Sequence, residues 1–172
     1  MSSFRHLQML MRYKAWANDL LFQTISELPE DELVAPRPII FGSILRTLNH
    51  VYAMDIVWKA HLESRPHEYA TRNPETSPPF AELRDAQKDM DAWYVSYARG
   101  LDASACEEIV DFTFIGGGSG SMSRGDILLH VVNHATYHRG HVVGMLYQIP
   151  VPVPTTDLPV FLRDSACAVV PE

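Results

Sequence analysis

The sequence predicts an all-α protein. It should be a four-helix bundle with one long crossover connection, a small β-hairpin or flap before the fourth helix, and a short C-terminal helix. Three observations carry this reading. Four segments repeat apolar residues at helical spacing. Clusters of Pro, Gly and Ser separate them. One stretch, EIVDFTFIGGGSGSMS, instead alternates apolar and polar residues before a glycine run, which is the pattern of a strand and its turn.

The first helix covers residues 4–27, where Met9/Leu10, Tyr13, Trp16/Ala17, Leu20/Leu21 and Thr24/Ile25 recur at helical spacing. Ser2 or Ser3 can cap it and Pro29 follows its end. The second helix runs from Ser43, a suitable N-cap, to about Leu62, because Pro66 disfavours helix just before it. RPHEYATRNPETSPP is a long, polar, Pro-rich connection, which marks a crossover or a lid. The third helix begins near Pro78, preset for a first turn, and stops at Gly100. Ser123 and Asp126 supply the S-x-x-D start of the fourth helix, which runs to about Tyr147. PVPVP is an extended spacer, and a short fifth helix follows Thr156 or Asp157.

A chain of 172 residues is most simply one domain, spanning 1–172. The formal charge of −7 repels phosphate backbones and argues against nucleic acid as a partner class. No apolar run reaches bilayer length, and the N-terminus lacks the apolar core of a signal peptide; a cytoplasmic location is expected. The two cysteines, Cys106 and Cys167, make neither a disulfide framework nor a C-x-x-C metal pattern.

The chemistry concentrates in HVVNHATYHRGH, residues 130–141. At ~100° per residue, His130, His134, His138 and His141 fall within about 80° of arc. Ile127 and Met145 share that arc, so the histidines replace the core-facing seam. Buried imidazoles without partners are costly, on the order of 1–3 kcal/mol each. A metal ion relieves that cost by taking neutral nitrogens as ligands, and histidines at i and i+4 can share one ion. A third ligand must come from another helix. The second helix offers His50, beside its apolar stripe, and Asp55, inside it. Asp55 needs a partner there: either the ring N–H groups of metal-bound histidines or an arginine such as Arg46 or Arg139. Alone, His130 reads as a packed core residue, His61 as a rim residue, and His6 and His67 as surface. Gly140 and Gly144 read as sites of close helix packing.

RYKAWAND (12–19), FGSILRTLNHVYAMDIVW (41–58), HVVNHATYHRGH (130–141) and PTTDLPVFLRD (154–164) occur in this order. Together they resemble the DinB-like family of metal-binding four-helix proteins, and the resemblance runs nearly end to end. It implies a metal held by His50, His134 and His138, with open positions for water or substrate. The ion it implies is one divalent transition metal: nickel, zinc or iron. One departure stands out. The family usually reads H-R-G-Q, and here the last position is His141, which is therefore a candidate fourth ligand or acid/base group. Related branches include thiol S-transferases and a thiol-dependent isomerase, and members are commonly homodimers.

Two function classes follow. One is a metal-dependent enzyme of thiol-transfer or hydrolytic type acting on a small molecule or thiol, with His141 or Asp55 moving a proton and the reaction unassigned. The other is a non-catalytic metal-binding, structural or stress-response protein. Three further chemistries are excluded: no Glu-x-x-His pair suits a di-iron carboxylate site, no H-E-x-x-H suits a zinc protease, and neither cysteine has a nucleophile's setting.

Overall fold

Helix starts fall where capping side chains stand. Ser43 Oγ accepts the Arg46 N–H at 3.3 Å, and Ser123 Oγ accepts the Asp126 N–H at 3.1 Å. Each satisfies one of the orphan donors of a first helical turn. These two caps open the two helices that carry the central histidines. The structure, a computed structural model, describes residues 3–167. Its elements are α1 (Ser3–Ser26), α2 (Glu30–Val34), α3 (Ile44–Leu62), α4 (Phe80–Gly100), α5 (Ala103–Cys106), β1 (Ile109–Thr113), β2 (Ser119–Ser123), α6 (Arg124–Leu146) and α7 (Leu158–Cys167). Ser2, one expected cap of the first helix, lies outside the described residues.

The four long helices and the hairpin match the expectation. Two short helices do not appear in the sequence reading, because each is too brief to show a period. α2 carries three acids in its first turn, Glu30, Asp31 and Glu32, which suit the positive end of a helix dipole. α5 is capped by Asp102, whose carboxylate accepts the Ala105 N–H at 2.8 Å.

α1 packs against α4 and α6, and α3 packs against the same two helices. α1 and α3 therefore occupy opposite corners. The long 63–79 connection joins α3 and α4, which touch; the diagonal steps are made by residues 27–43 and by the hairpin-bearing segment 101–123. Segment 63–79 is strapped over α3 at two points. Its Arg72 carbonyl meets His50 Nδ1 at 2.6 Å, and its Thr76 carbonyl accepts from Asn49 Nδ2 at 3.2 Å.

The hairpin pairs Val110 with Met122 and Phe112 with Gly120. A Cβ at Gly120 would lie 2.6 Å from Phe112 Cζ, so the ring needs glycine opposite it. The turn residues Gly116, Gly117 and Gly118 all hold positive φ, near 95°, 101° and 91°, a region that glycine occupies without strain. What reads in sequence as a flap is an antiparallel hairpin, and it presses Phe112 edge-on against Trp58 of α3 at 5.0 Å.

Two apolar clusters fill the bundle. One joins Met11, Ala53, Trp58, Tyr94, Ile127 and Val131. The other joins Leu21, Ile25, Ile44, Leu83, Val142 and Met145. Near the junction of these two sets each long helix turns polar side chains inward: Lys14 and Asn18 on α1, His50 and Asp55 on α3, Gln87 and Asp91 on α4, His134 and His138 on α6. The bundle has a polar waist. α7 closes against α1: Tyr13 donates its hydroxyl to the Thr156 carbonyl at 2.8 Å, and Phe161 meets the Tyr13 and Trp16 rings.

Candidate metal centre

His50 sits about two turns into α3 and is 5% exposed. Its Nδ1 faces the Arg72 carbonyl, an acceptor only, so Nδ1 carries the proton. In a neutral ring the other nitrogen, Nε2, is then a bare lone pair. That lone pair points at His134 Nε2, 3.1 Å away. The Phe41 ring stacks on His50 at 4.1 Å and fixes its plane.

His134 and His138 stand one turn apart on α6, with ring centroids 4.5 Å apart. His138 lies 4.7 Å from His50, ring to ring. One nitrogen from each of His50, His134 and His138 falls within 4.8 Å of the others, which makes the trio a group that could hold a metal ion. Ligands about 2.0–2.1 Å from one ion are separated by roughly 2.8–3.4 Å when they subtend octahedral or tetrahedral angles. The His50–His134 separation of 3.1 Å lies in that range.

The cluster disfavours protons. Burial, then the neighbouring imidazoles His138 and His50, push His134 down from 6.5 to about 3. Burial, then His50 and His141, push His138 down to about 4. Burial also lowers His50. Neutral imidazoles are the form that ligates metal, so the residues present fit a divalent ion.

The trio lies on the floor of a cleft of about 760 Å³. Trp58, Phe112, Phe114, Ile40 and Tyr137 form much of its wall. His130 and His61 also line it. His130 meets Trp58 edge-on at 4.8 Å and stands 5.7 Å from His134, a member of the wall and not of the trio. His61, expected at a rim, is half-buried between Trp58 and Phe112. His67, expected at the surface, is half-buried against His61 at 5.4 Å.

Two expected site residues stand apart. His141 is 5.2 Å from His138, ring to ring, but does not join the trio or the cleft lining; its ring meets Tyr137 at 4.5 Å. Asp55 turns away from the histidines. Its Oδ2 accepts from Lys14 Nζ at 2.7 Å and from Gln87 Nε2 at 2.9 Å. Lys14 also donates to Asp91, and Asn18 donates to the second oxygen of Asp91 at 2.8 Å. The partner that the carboxylate needs is thus a lysine, neither a histidine nor Arg46 or Arg139. Burial alone would lower the Lys14 ammonium; Asp55 and Asp91 override it and hold it above its ordinary value. Arg139 instead donates to the Tyr13 hydroxyl at 2.6 Å. Two buried cations and two buried carboxylates, Lys14, Arg139, Asp55 and Asp91, leave this part of the waist electrically balanced.

Lys14 and Asn18 were missed in the sequence, although a signal exists. Positions 7, 11, 14, 18, 21 and 25 form one seam of α1 at alternating steps of four and three, and all six are buried. A lysine and an asparagine in such a seam point to buried acceptors. Gly140 and Gly144 are also not what spacing suggests: a Cβ at either meets nothing within 4 Å. They are exposed and allow no close approach.

Residues 1–166 match the DinB family model. The protein DinB of Bacillus subtilis (strain 168) is 28% identical over 157 residues, covering 89% of this chain and 91% of that protein. The crystal structure of a DinB-like protein from Bacillus cereus ATCC 10987 superposes with a TM-score of 0.65 at 15% identity. That match covers 85% of this chain and 94% of that one, and it is a likeness of fold. A polar-waisted four-helix bundle, with its histidines gathered from α3 and α6, thus places this chain in the DinB family.

Proposed function

We propose that His50, His134 and His138 bind one divalent transition metal ion, nickel, zinc or iron, and that the centre belongs to a metal-dependent enzyme of thiol-transfer or hydrolytic type. The observation that carries the reading is the position of three neutral imidazoles on the floor of an open cleft. A structural zinc site is normally closed by four protein ligands, whereas a catalytic site keeps a position open. An ion held by three neutral ligands keeps its full charge and acts as a Lewis acid toward a thiol or a water.

The chain's own residues do the rest. The Arg72 carbonyl sets the tautomer and plane of His50, as outer hydrogen bonds do for ligating histidines. The wall of Trp58, Phe112 and Phe114 limits water. His130 and His61 reach the cleft without joining the trio, so they are the groups placed to accept a proton from a reacting molecule. Asp55, engaged by Lys14, has no such access. A homodimer in the cytoplasm is the assembly and location that we propose on the family resemblance; among the described residues no helix is long and apolar enough to cross a membrane.

The test is metal content, by elemental mass spectrometry, of untagged protein beside a His134→Ala/His138→Ala variant. About one ion per chain in wild type, absent from the variant, is the expected result. No metal in wild type, even after reconstitution with nickel, zinc or iron, would overturn the proposal. The non-catalytic reading is separated by adding azide or a small thiol to the cobalt-substituted protein. An open position changes the visible spectrum; a closed, structural one does not.

A further inference from the structure

The cleft over the histidines is uneven in charge. Of the residues that line it, Arg72 alone carries a formal charge; no Asp or Glu, and no Lys, shares the wall. Among the described residues, no carboxylate pairs with Arg72 either, although the chain as a whole carries a net charge of −7. An acidic protein that places a lone arginine over an apolar cleft has built a local field opposite to its global one. The position is held: the Arg72 carbonyl is bonded to His50, and Thr76, four residues on, is bonded to Asn49.

The rest of the cleft is aromatic or aliphatic, with Trp58, Phe112, Phe114, Ile115 and Tyr137 facing the space. Such walls bury an apolar body, and a few placed polar groups orient it. One guanidinium balances one negative charge, and its planar fork matches a carboxylate.

We propose that Arg72 and the apolar cleft form a subsite for a small carboxylic acid with an apolar body, bearing one negative charge, whose carboxylate pairs with the Arg72 guanidinium beside the histidine trio. This deepens the reading of the same cleft as a substrate site, and it rests on that reading for its biological meaning. The pairing itself requires no metal.

Three probes of one shape test it: 3-phenylpropanoate, 3-phenylpropanamide and 3-phenylpropylammonium. Calorimetric titration is made into the full chain, metal-free and zinc-reconstituted, for wild type, Arg72→Gln and Arg72→Lys. The acid should bind about tenfold tighter than the amide, as a hydrogen-bonded charge pair requires, with the ammonium weakest. Arg72→Gln should erase the preference for acid over amide while leaving the amide's own affinity in place, and Arg72→Lys should restore part of it. Unchanged amide affinity shows that the cleft is intact, so loss of the acid preference is not loss of fold.

Equal acid binding in wild type and Arg72→Gln would overturn the proposal, as would no binding of any probe. An acid preference that appears only with zinc and survives Arg72→Gln places the anion on the metal; the arginine subsite then falls while the metal reading stands. An acid preference that needs Arg72 in a protein unable to take up zinc does the reverse.

Discussion

Two buried polar groupings share the waist of this bundle and differ in how completely they satisfy themselves. Around Lys14, each ionised group has an opposite charge or an amide in reach: Asp55 takes Lys14 and Gln87, and Asp91 takes Lys14, Asn18 and Gln87. Around His50, the Nε2 lone pair has only another imidazole nitrogen, His134 Nε2 at 3.1 Å, and the buried Nδ1 of His138 has no partner among the described residues. Both groupings draw on α3, through residues five positions apart. The difference teaches how to separate a structural polar core from a binding centre. A closed network needs nothing further, whereas imidazole nitrogens converging at the bottom of an open cleft suit a cation.

The largest effect should come from breaking the closed side. Lys14→Met removes the one ammonium that both carboxylates share, and leaves them buried and unpaired. Losing one partner of a buried ion pair costs about 3–5 kcal/mol, so urea unfolding should show a loss of that size. A triple replacement, Lys14→Met with Asp55→Leu and Asp91→Leu, should recover part of it, because both carboxylates leave with the ammonium while buried Arg139 loses the charge of Asp91. If Lys14→Met alone cost less than about 1 kcal/mol, the network would not be closing the waist.

The open side should behave in the opposite manner. Removing His134 and His138 together deletes groups that lack good partners in the metal-free chain, so metal-free stability should fall by no more than about 1 kcal/mol. Adding saturating metal should raise the melting temperature of wild type alone, since an ion that binds only the folded form stabilises it by mass action. A large metal-free loss in the double variant would show that the imidazoles act mainly as packing.

Acid sharpens the contrast further. His134 and His138 have folded values of about 3 and about 4, below their ordinary 6.5. A depressed value favours the neutral ring in the fold, so this contribution is fully present above pH 6.5 and is lost as pH falls toward 4 and then 3. The melting temperature of chelator-treated wild type should drop between pH 6.5 and 4.5 more steeply than that of the His134→Ala/His138→Ala variant. Lys14 is shifted upward, so its contribution is complete below its ordinary 10.5 and is lost only as pH rises beyond that. Burial raises Asp55 even beside Lys14, so in Lys14→Met the stranded carboxylates take up protons as pH falls, and the deficit should be largest near pH 9 and shrink toward pH 5. Parallel acid slopes in wild type and the double variant would show that the two histidines are not held neutral by the fold.

How much of this was legible in sequence depends on spacing. His134 and His138 lie one turn apart in a seam whose direction Ile127 and Met145 define, so their inward aim follows from period alone. The hairpin followed from alternation into a glycine run, and the caps Ser43 and Ser123 from their place before apolar periods. Asp55 was legible as a buried carboxylate in need of a partner. Its partner was not, because Lys14 lies 41 residues away on a helix whose corner only the assembled bundle sets. Arg72 was hidden for a related reason: it sits in an aperiodic loop, and its nearness to His50 depends on a backbone carbonyl that no side-chain pattern records.

The smallest expected effect concerns His141, the residue that departs from the H-R-G-Q resemblance. A fourth imidazole beside a three-histidine site invites the reading that it completes the coordination. The geometry puts it one turn past His138 on α6, with its ring against Tyr137 and outside the lining of the cleft. His141→Gln should therefore leave metal stoichiometry unchanged and shift stability by no more than about 0.5 kcal/mol, the range of a substitution away from core and network. Its Nδ1 is buried without a partner, and a glutamine amide there meets the same surroundings with one donor group and one acceptor. The cobalt-substituted protein supplies the sharper reading. If His141→Gln leaves the visible spectrum unchanged, the centre has three protein ligands and the open cleft supplies the rest of the coordination sphere. If the spectrum changes and the response to azide grows, His141 moves onto the ion when it binds, and the contrast between a closed lysine network and an open histidine centre would hold only for the metal-free chain.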